Sequence, residues 1–338
     1  MAETPDADPQ PTPGRLAAAG AFLQRLAHGL VERIKGLRRP APPSPLADIV
    51  PTGSRFLDAS FVGQAGSRNY KLFVPRGYDG QAVPLVVMLH GCTQSPEDFA
   101  AGTRMNAVAE THVCLVAYPE QPASANPQKC WNWFVPGDQQ RDQGEPALIA
   151  GITRQVMQGY KVDPRRVYVA GLSAGGATAA IMALTYPDLY AAVGVHSGLA
   201  RGAASDLKSA LAAMGRGETV SPVEGDGRPA VPTIVFHGDR DKVVSPRNGE
   251  RVVAQALGSV ADLQREDETG QVEAGHGYDR RLYKTAAGTV MLEYWNIRGA
   301  GHAWSGGSPA GTYTDPMGPD ASHEMLRFFL ANPRAAAA

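Results

Sequence analysis

Residues 167–180 read VYVAGLSAGGATAA, an apolar run that enters a glycine-rich turn and continues as an alanine-rich stretch. VYVAG has the composition of a buried strand, and ATAAIMALTYP (177–187) that of a helix halted near Pro187. Ser173 stands at the turn between them, with Gly171 two residues before it and Gly175 two after. A chain with 38 glycines in 338 residues can produce Gly-x-Ser-x-Gly by accident, so the pattern alone has little weight. The frame of strand, sharp turn and immediate helix has much more. A serine on such a turn is held in a strained backbone conformation, and side chains at positions 171 and 175 would collide with the adjoining strand and helix. Ser173 is therefore read as a nucleophile.

Outward from this turn the chain alternates between two patterns. NYKLFVP (69–75), PLVVMLHG (84–91), VCLVAYP (113–119), AAVGVHSG (191–198), PTIVFHG (232–238) and VMLEYWNI (290–297) read as strands. PEDFAAGTRMNAVAE (96–110) and GEPALIAGITRQVMQGY (144–160) read as helices, and another is expected from about Arg247. This alternation predicts an α/β fold, a mostly parallel central sheet with helices on both faces. No internal repeat is apparent.

A serine hydroxyl needs a base that an acid orients, and on this strand-turn-helix arrangement the chain order is serine, acid, histidine. After Ser173, the loop that follows PTIVFHG offers Asp239 and Asp241. Asp241 is preferred, because Val243 and Val244 can anchor it by burial while Asp239 stays in the turn. Of eight histidines, only His276, His302 and His323 follow the acid. His276 has no clear strand before it, and His323 sits in what reads as the first turn of a helix. His302 lies in NIRGAGHAWSGG (296–307), directly after a strand in a glycine-bracketed loop, and is the expected base. His90, His196 and His237 precede turns at strand ends and are expected to make structural hydrogen bonds. The oxyanion of the tetrahedral intermediate needs two backbone N–H donors, and Ala174 and Cys92 are nominated for them. Trp131, Trp133 and Trp304 could form an apolar wall for a substrate.

Composition bounds the rest. With 43% apolar residues the chain can bury one large core. A net charge of −1 from 32 basic and 33 acidic residues gives no sign of a nucleic-acid partner. Three cysteines allow at most one bridge and lack the paired spacing of a zinc site. Cys114 lies in an apolar run, so the bridge, if formed, is expected between Cys92 and Cys130. Residues 1–50 read as an N-terminal tail, with Pro-rich segments at 1–14 and 38–45. Between these, Leu23, Leu26, Leu30, Ile34 and Leu37 recur at helical spacing among basic residues, describing an amphipathic helix over about 16–38. Residues 51–338 form the expected catalytic domain. The first ten residues are acidic and proline-rich, unlike an export signal, so a cytoplasmic location is expected.

LHGCTQSPEDFAAGTRMN (89–106), YPEQPASANPQKCWNWF (118–134), VDPRRVYVAGLSAGGATAA (162–180), HGDRDKVVSPRNG (237–249) and GAGHAWSGG (299–307) together resemble the polyhydroxybutyrate depolymerase family of esterases over residues 65–330. The resemblance implies an α/β-hydrolase fold, a triad of Ser173, Asp241 and His302, and Cys92 at the oxyanion position. It also implies hydrolysis of short-chain hydroxyacid esters, poly- or oligo-3-hydroxybutyrate in type, with no metal or organic cofactor. Feruloyl and acetylxylan esterases share related catalytic domains and are the main alternative. A reading of another class is a protein docked on a polyester granule or membrane surface through the 16–38 helix.

Overall fold

A computed structural model describes residues 49–217, 230–258, 260 and 262–335. The amphipathic helix expected over residues 16–38 and the Pro-rich segment at 38–45 lie outside the described residues.

The fold is organised by strands whose side chains are apolar on both sides. Strand β3 (Val83–Leu89) is buried at every position. Its alternate residues enter opposite cores: Leu85, Val87 and Leu89 pack with Val167 and Val169, whereas Val86 and Met88 pack with Tyr168 and Ala170. Such two-sided burial is possible only if helices cover both faces. Before β3 come β1 (Arg55–Gly63) and β2 (Gly66–Val74), an antiparallel hairpin. After it come helices α1 (Pro96–Thr103) and α2 (Met105–Thr111), then β4 (Leu115–Pro119), α3 (Gly144–Gly159), β5 (Val162–Leu172), α4 (Ala174–Thr185), β6 (Ala192–His196) and α5 (Leu207–Arg216). The chain continues through β7 (Thr233–Gly238), α6 (Arg247–Leu257), β8 (Gln264–Gln271), β9 (Gly277–Lys284) and β10 (Val290–Ile297). It ends with a two-stranded ribbon, β11 (Trp304–Ser305) and β12 (Thr314–Asp315), and α7 (Ala321–Ala331).

The main sheet runs β1-β2-β4-β3-β5-β6-β7-β10-β9-β8. From β4 to β10 its neighbours are parallel, and the flanking strands are antiparallel. Residues of α3, α4, α5 and α6 fill one core, and those of α1, α2 and α7 fill the other. This is the α/β-hydrolase arrangement. Its parallel centre directs the ends of β3, β5, β6, β7 and β10 to one edge, where ligands of such sheets bind. Among the described residues, no helix is long and apolar enough to cross a membrane.

The helix expected over 96–110 is two helices. Arg104 breaks it with φ 55°, and its guanidinium donates to Gly306 O at 2.8 Å and pairs with Asp320 at 3.0 Å. The break leaves Thr103 O to accept the Ser322 hydroxyl at 2.6 Å, and Ser322 in turn receives the Trp304 indole N–H at 3.1 Å. One buried chain of bonds thus ties α1 and α7 to the loop that carries His302.

Candidate active site

Ser173 adopts φ 57° and ψ −117° between β5 and α4. Its N–H donates to His196 O at 2.9 Å, and its carbonyl accepts from Ala177 N–H at 2.9 Å, so both sides of the strained residue are fastened. The flanking glycines are required by contact with backbone. A Cβ at Gly175 would stand 2.1 Å from Leu89 O and 2.6 Å from His90 O, and one at Gly171 would stand 2.4 Å from the carbonyl of Gly175. Neither neighbour is a side chain that could turn away. Gly175→Ala is therefore expected to cost about 4 kcal/mol or more, lowering the thermal midpoint by roughly 10 °C or preventing soluble folding. Differential scanning fluorimetry checks this, and a midpoint within about 2 °C of the parent would show that the turn has room to spare.

Asp241 and His302 come from loops after neighbouring parallel strands, β7 and β10, and meet in a bond of 2.7 Å between Oδ2 and Nδ1. Oδ1 of Asp241 accepts the N–H groups of Val243 and Val244, both at 2.9 Å. Asp241 as a residue is 6% exposed with its side chain fully buried, and His302 is 9% exposed. Burial alone would raise the Asp241 pKa, but His302 and His237 overcome it and hold the carboxyl well below its ordinary range. An ionised Asp241 accepts a hydrogen bond from Nδ1–H and so keeps the proton on that nitrogen, which leaves Nε2 of His302 as the basic nitrogen. His237 Nε2 bonds Val244 O at 2.9 Å and lies 3.5 Å from Asp241 Oδ2.

Asp239 has a different task, accepting Gly299 N–H at 2.7 Å and so fixing the start of the His302 loop. His276 pairs with Asp315 at 2.9 Å, and His323 is an exposed residue of α7 beside Glu324.

The strand-end histidines make the structural bonds expected of them. His196 sends its carbonyl to Ser173 N–H and uses Nε2 to accept Ser305 N–H at 3.0 Å, joining the nucleophile turn to the His302 loop. Its ring stacks between Phe236 and Trp304, and burial keeps its pKa well below the ordinary value. His90 accepts Gln121 N–H at 3.0 Å through Nε2, and burial lowers its pKa to about 4. Both rings are therefore neutral near pH 7.

The two nominated oxyanion donors stand out from their neighbours. Gly91 N–H is taken by Gln94 Oε1 at 2.9 Å, and Thr93 N–H by Gln128 O at 2.7 Å. Among the described residues, no partner takes the N–H of Cys92 or Ala174. Cys92 and Cys130 form a disulfide, and Cys114 is a buried free thiol. Among the described residues, no group of three or more His, Cys, Asp or Glu side chains is arranged to hold a metal ion.

The tryptophan wall needs correction. Trp131 is fully buried with its indole N–H on His90 O at 3.0 Å, and Trp304 is 1% exposed, packed against His196 and Phe99. A wall must present a face, and these two spend theirs inside the two cores. Trp133 keeps 5% exposure and packs edge-on against Phe134. Sequence reasoning missed Glu145, a 4% exposed carboxyl beneath this loop. Burial, aided by Asp138, pushes its pKa up to about 7, against the pull of bonds from Asn132 and Gln121.

Comparisons with known proteins agree with this architecture. The model of the family described as Esterase PHB depolymerase matches residues 68–279. A poly(3-hydroxyalkanoate) depolymerase C of Paucimonas lemoignei is 35% identical over 260 residues, covering 73% of this chain and 60% of that protein. The match thus spans less than two thirds of that relative's length. A feruloyl esterase B of Thermothelomyces thermophilus is 28% identical over 247 residues, covering 68% of this chain and 82% of that protein. Among solved structures, an acetyl xylan esterase from Aspergillus awamori shares the fold with a TM-score of 0.66 at 20% identity, covering 82% of this chain and 99% of the other.

Proposed function

Because this chain belongs to the Esterase PHB depolymerase family and is a carboxylic ester hydrolase, we propose that it cleaves short-chain hydroxyacid esters, of the poly- or oligo-3-hydroxybutyrate type, through an acyl-enzyme on Ser173. The observation that carries the mechanism is the 2.7 Å bond between buried Asp241 and His302 Nδ1, at the same sheet edge as the strained Ser173 turn. His302 Nε2 takes the Ser173 proton as Oγ bonds to the ester carbonyl carbon. The carbonyl oxygen, now negative, is met by the N–H groups of Cys92 and Ala174. His302 then gives the proton to the departing alcohol as the ester C–O bond breaks. Water attacks the acyl-enzyme in a second cycle, with His302 again as base, and frees the acid and Ser173. Asp241 orients the imidazole and stabilises its charged form.

The hydroxyacid substrate is supported by the 35% identity to a polyhydroxyalkanoate depolymerase. A feruloyl or acetylxylan ester is the second reading, favoured by the larger share, 82%, of the feruloyl esterase that the match covers. The test is hydrolysis of a 3-hydroxybutyrate oligomer, methyl ferulate and acetylated xylan by purified protein, each beside Ser173→Ala. Serine-dependent release from the oligomer, exceeding that from the other two, is the expected result. Activity confined to ferulate or acetylxylan would retain the mechanism and replace the substrate.

A further inference from the structure

Behind the segment that carries Cys92 lies a buried polar network that the acyl-transfer mechanism does not use. At its centre is Glu145, in the first turn of α3, an element that does not contribute to the triad. Its Oε1 accepts from the side chains of Gln121 at 2.5 Å and Asn132 at 2.8 Å, and its Oε2 accepts Asn132 N–H at 2.7 Å. Two further charged groups face it: Arg68 of β2, 4.0 Å from Oε1, and Asp138, whose Oδ1 takes the Glu145 N–H at 2.7 Å.

The residues Glu145 holds are the ones that grip the oxyanion segment. Gln121 is fully buried; its backbone N–H bonds His90 Nε2, and its side-chain amide also donates to Cys130 O at 2.9 Å. Asn132 follows Cys130 by two residues, and Trp131 between them donates to His90 O. The disulfide then joins Cys130 to Cys92 itself. Residues 90–92 are thus fixed from one side by Gln121 and from the other by 130–132, and Glu145 is the common acceptor for both.

We propose that Glu145 is a positioning residue of the oxyanion hole: by accepting from Gln121 and Asn132 together, it sets where the Cys92 N–H points. This rests on the serine-hydrolase reading of the site. A carboxylate suits the task because three donors converge on its two oxygens, and no neutral side chain of the same shape has two acceptors there. In Glu145→Gln, either orientation of the new amide sets an NH₂ against a donor. The Cys92 N–H then shifts relative to an oxygen that is charged only in the transition state, while ground-state binding is spared.

The experiment measures Glu145→Gln and the milder Asn132→Ala with a short-chain p-nitrophenyl ester and with a short-chain trifluoromethyl ketone, which traps Ser173 as a tetrahedral adduct. For Glu145→Gln, kcat is expected to fall about 10- to 100-fold with KM within about twofold, and the ketone Ki to rise in step with the loss of kcat/KM. Asn132→Ala is expected to show the same pattern at smaller size. Titration of the unfolded, unreduced variants should count one free thiol, as in the parent, showing that the disulfide is intact. A folded Glu145→Gln with kcat/KM within about threefold of the parent, or a loss confined to KM with the ketone Ki unchanged, overturns the proposal. Should Glu145→Gln not fold, Asn132→Ala decides by the same criteria. Failure of the underlying reading looks different, because turnover would then persist in Ser173→Ala.

Discussion

Ser173→Ala is expected to lower kcat by roughly 10⁴- to 10⁶-fold, because residues that act as a unit in serine hydrolases lose nearly all chemistry when the nucleophile goes. The backbone of the turn should survive. Its anchors are the bonds of Ser173 N–H to His196 O and of Ala177 N–H to Ser173 O, and neither involves the hydroxyl. Alanine inherits the φ of 57°, so the thermal midpoint should stay near that of the parent. Glycine at the same position separates strain from chemistry. It removes about 1–3 kcal/mol of backbone strain, offset by about 0.5–1 kcal/mol from the greater freedom of the unfolded chain. Ser173→Gly should therefore be as inactive as the alanine variant yet melt roughly 2 °C higher. Steady-state hydrolysis and thermal melts of the three proteins decide the matter. Retained turnover in either variant would remove Ser173 from the mechanism, and a Ser173→Gly protein that melts below the parent would show that the turn stores no strain.

How far the sequence could be read depended on whether a residue's role is written in its neighbours along the chain. The β5–α4 turn was legible because its requirements are local: an apolar strand, two glycines at fixed offsets and a helix start. The contact between Asp241 and His302 was legible because an acid followed by a histidine is expected in that order after the serine and the strands that deliver them are apolar. The flanking strands were harder. β8 reads QREDETGQ, with no apolar alternation, since its pairing with β9 involves charged and polar partners such as Glu268 opposite Arg280. The break at Arg104 depends on acceptors more than 200 positions away in the sequence, Gly306 and Asp320, which no local pattern encodes.

The tryptophans show the opposite failure. A large aromatic in a loop beside the site looks the same in sequence whether it faces a ligand or a core. Only the fold reveals that Trp131 is spent on His90 O and Trp304 on Ser322. Glu145 is the converse, since a glutamate in the first turn of a helix ordinarily reads as a favourable charge at the positive end of the dipole. Its burial beneath the 118–134 loop exists only once that loop is folded over it.

The second large effect is expected at Asp241, and the geometry predicts how asparagine would fail there. The Val243 and Val244 N–H groups both point at Oδ1, so the amide oxygen of Asp241→Asn must face them and its NH₂ must face His302. The imidazole would then have to accept at Nδ1, which places its proton on Nε2, the nitrogen that should receive the Ser173 proton. With the wrong tautomer locked in, kcat should fall about 10⁴-fold, the size seen for this change in comparable enzymes. Asp239→Asn is the matched control, because Asp239 accepts a single N–H, from Gly299, and an amide oxygen can do the same. Its kcat is expected within about threefold of the parent. Initial rates with one ester for both variants, at equal folded concentration, give the comparison. If Asp239→Asn were the damaging change and Asp241→Asn the mild one, the acid would have to be reassigned to the turn residue. A loss below about 100-fold at Asp241 would mean that something else sets the His302 tautomer, and His237, 3.5 Å from the same carboxylate oxygen, would be the first residue to examine.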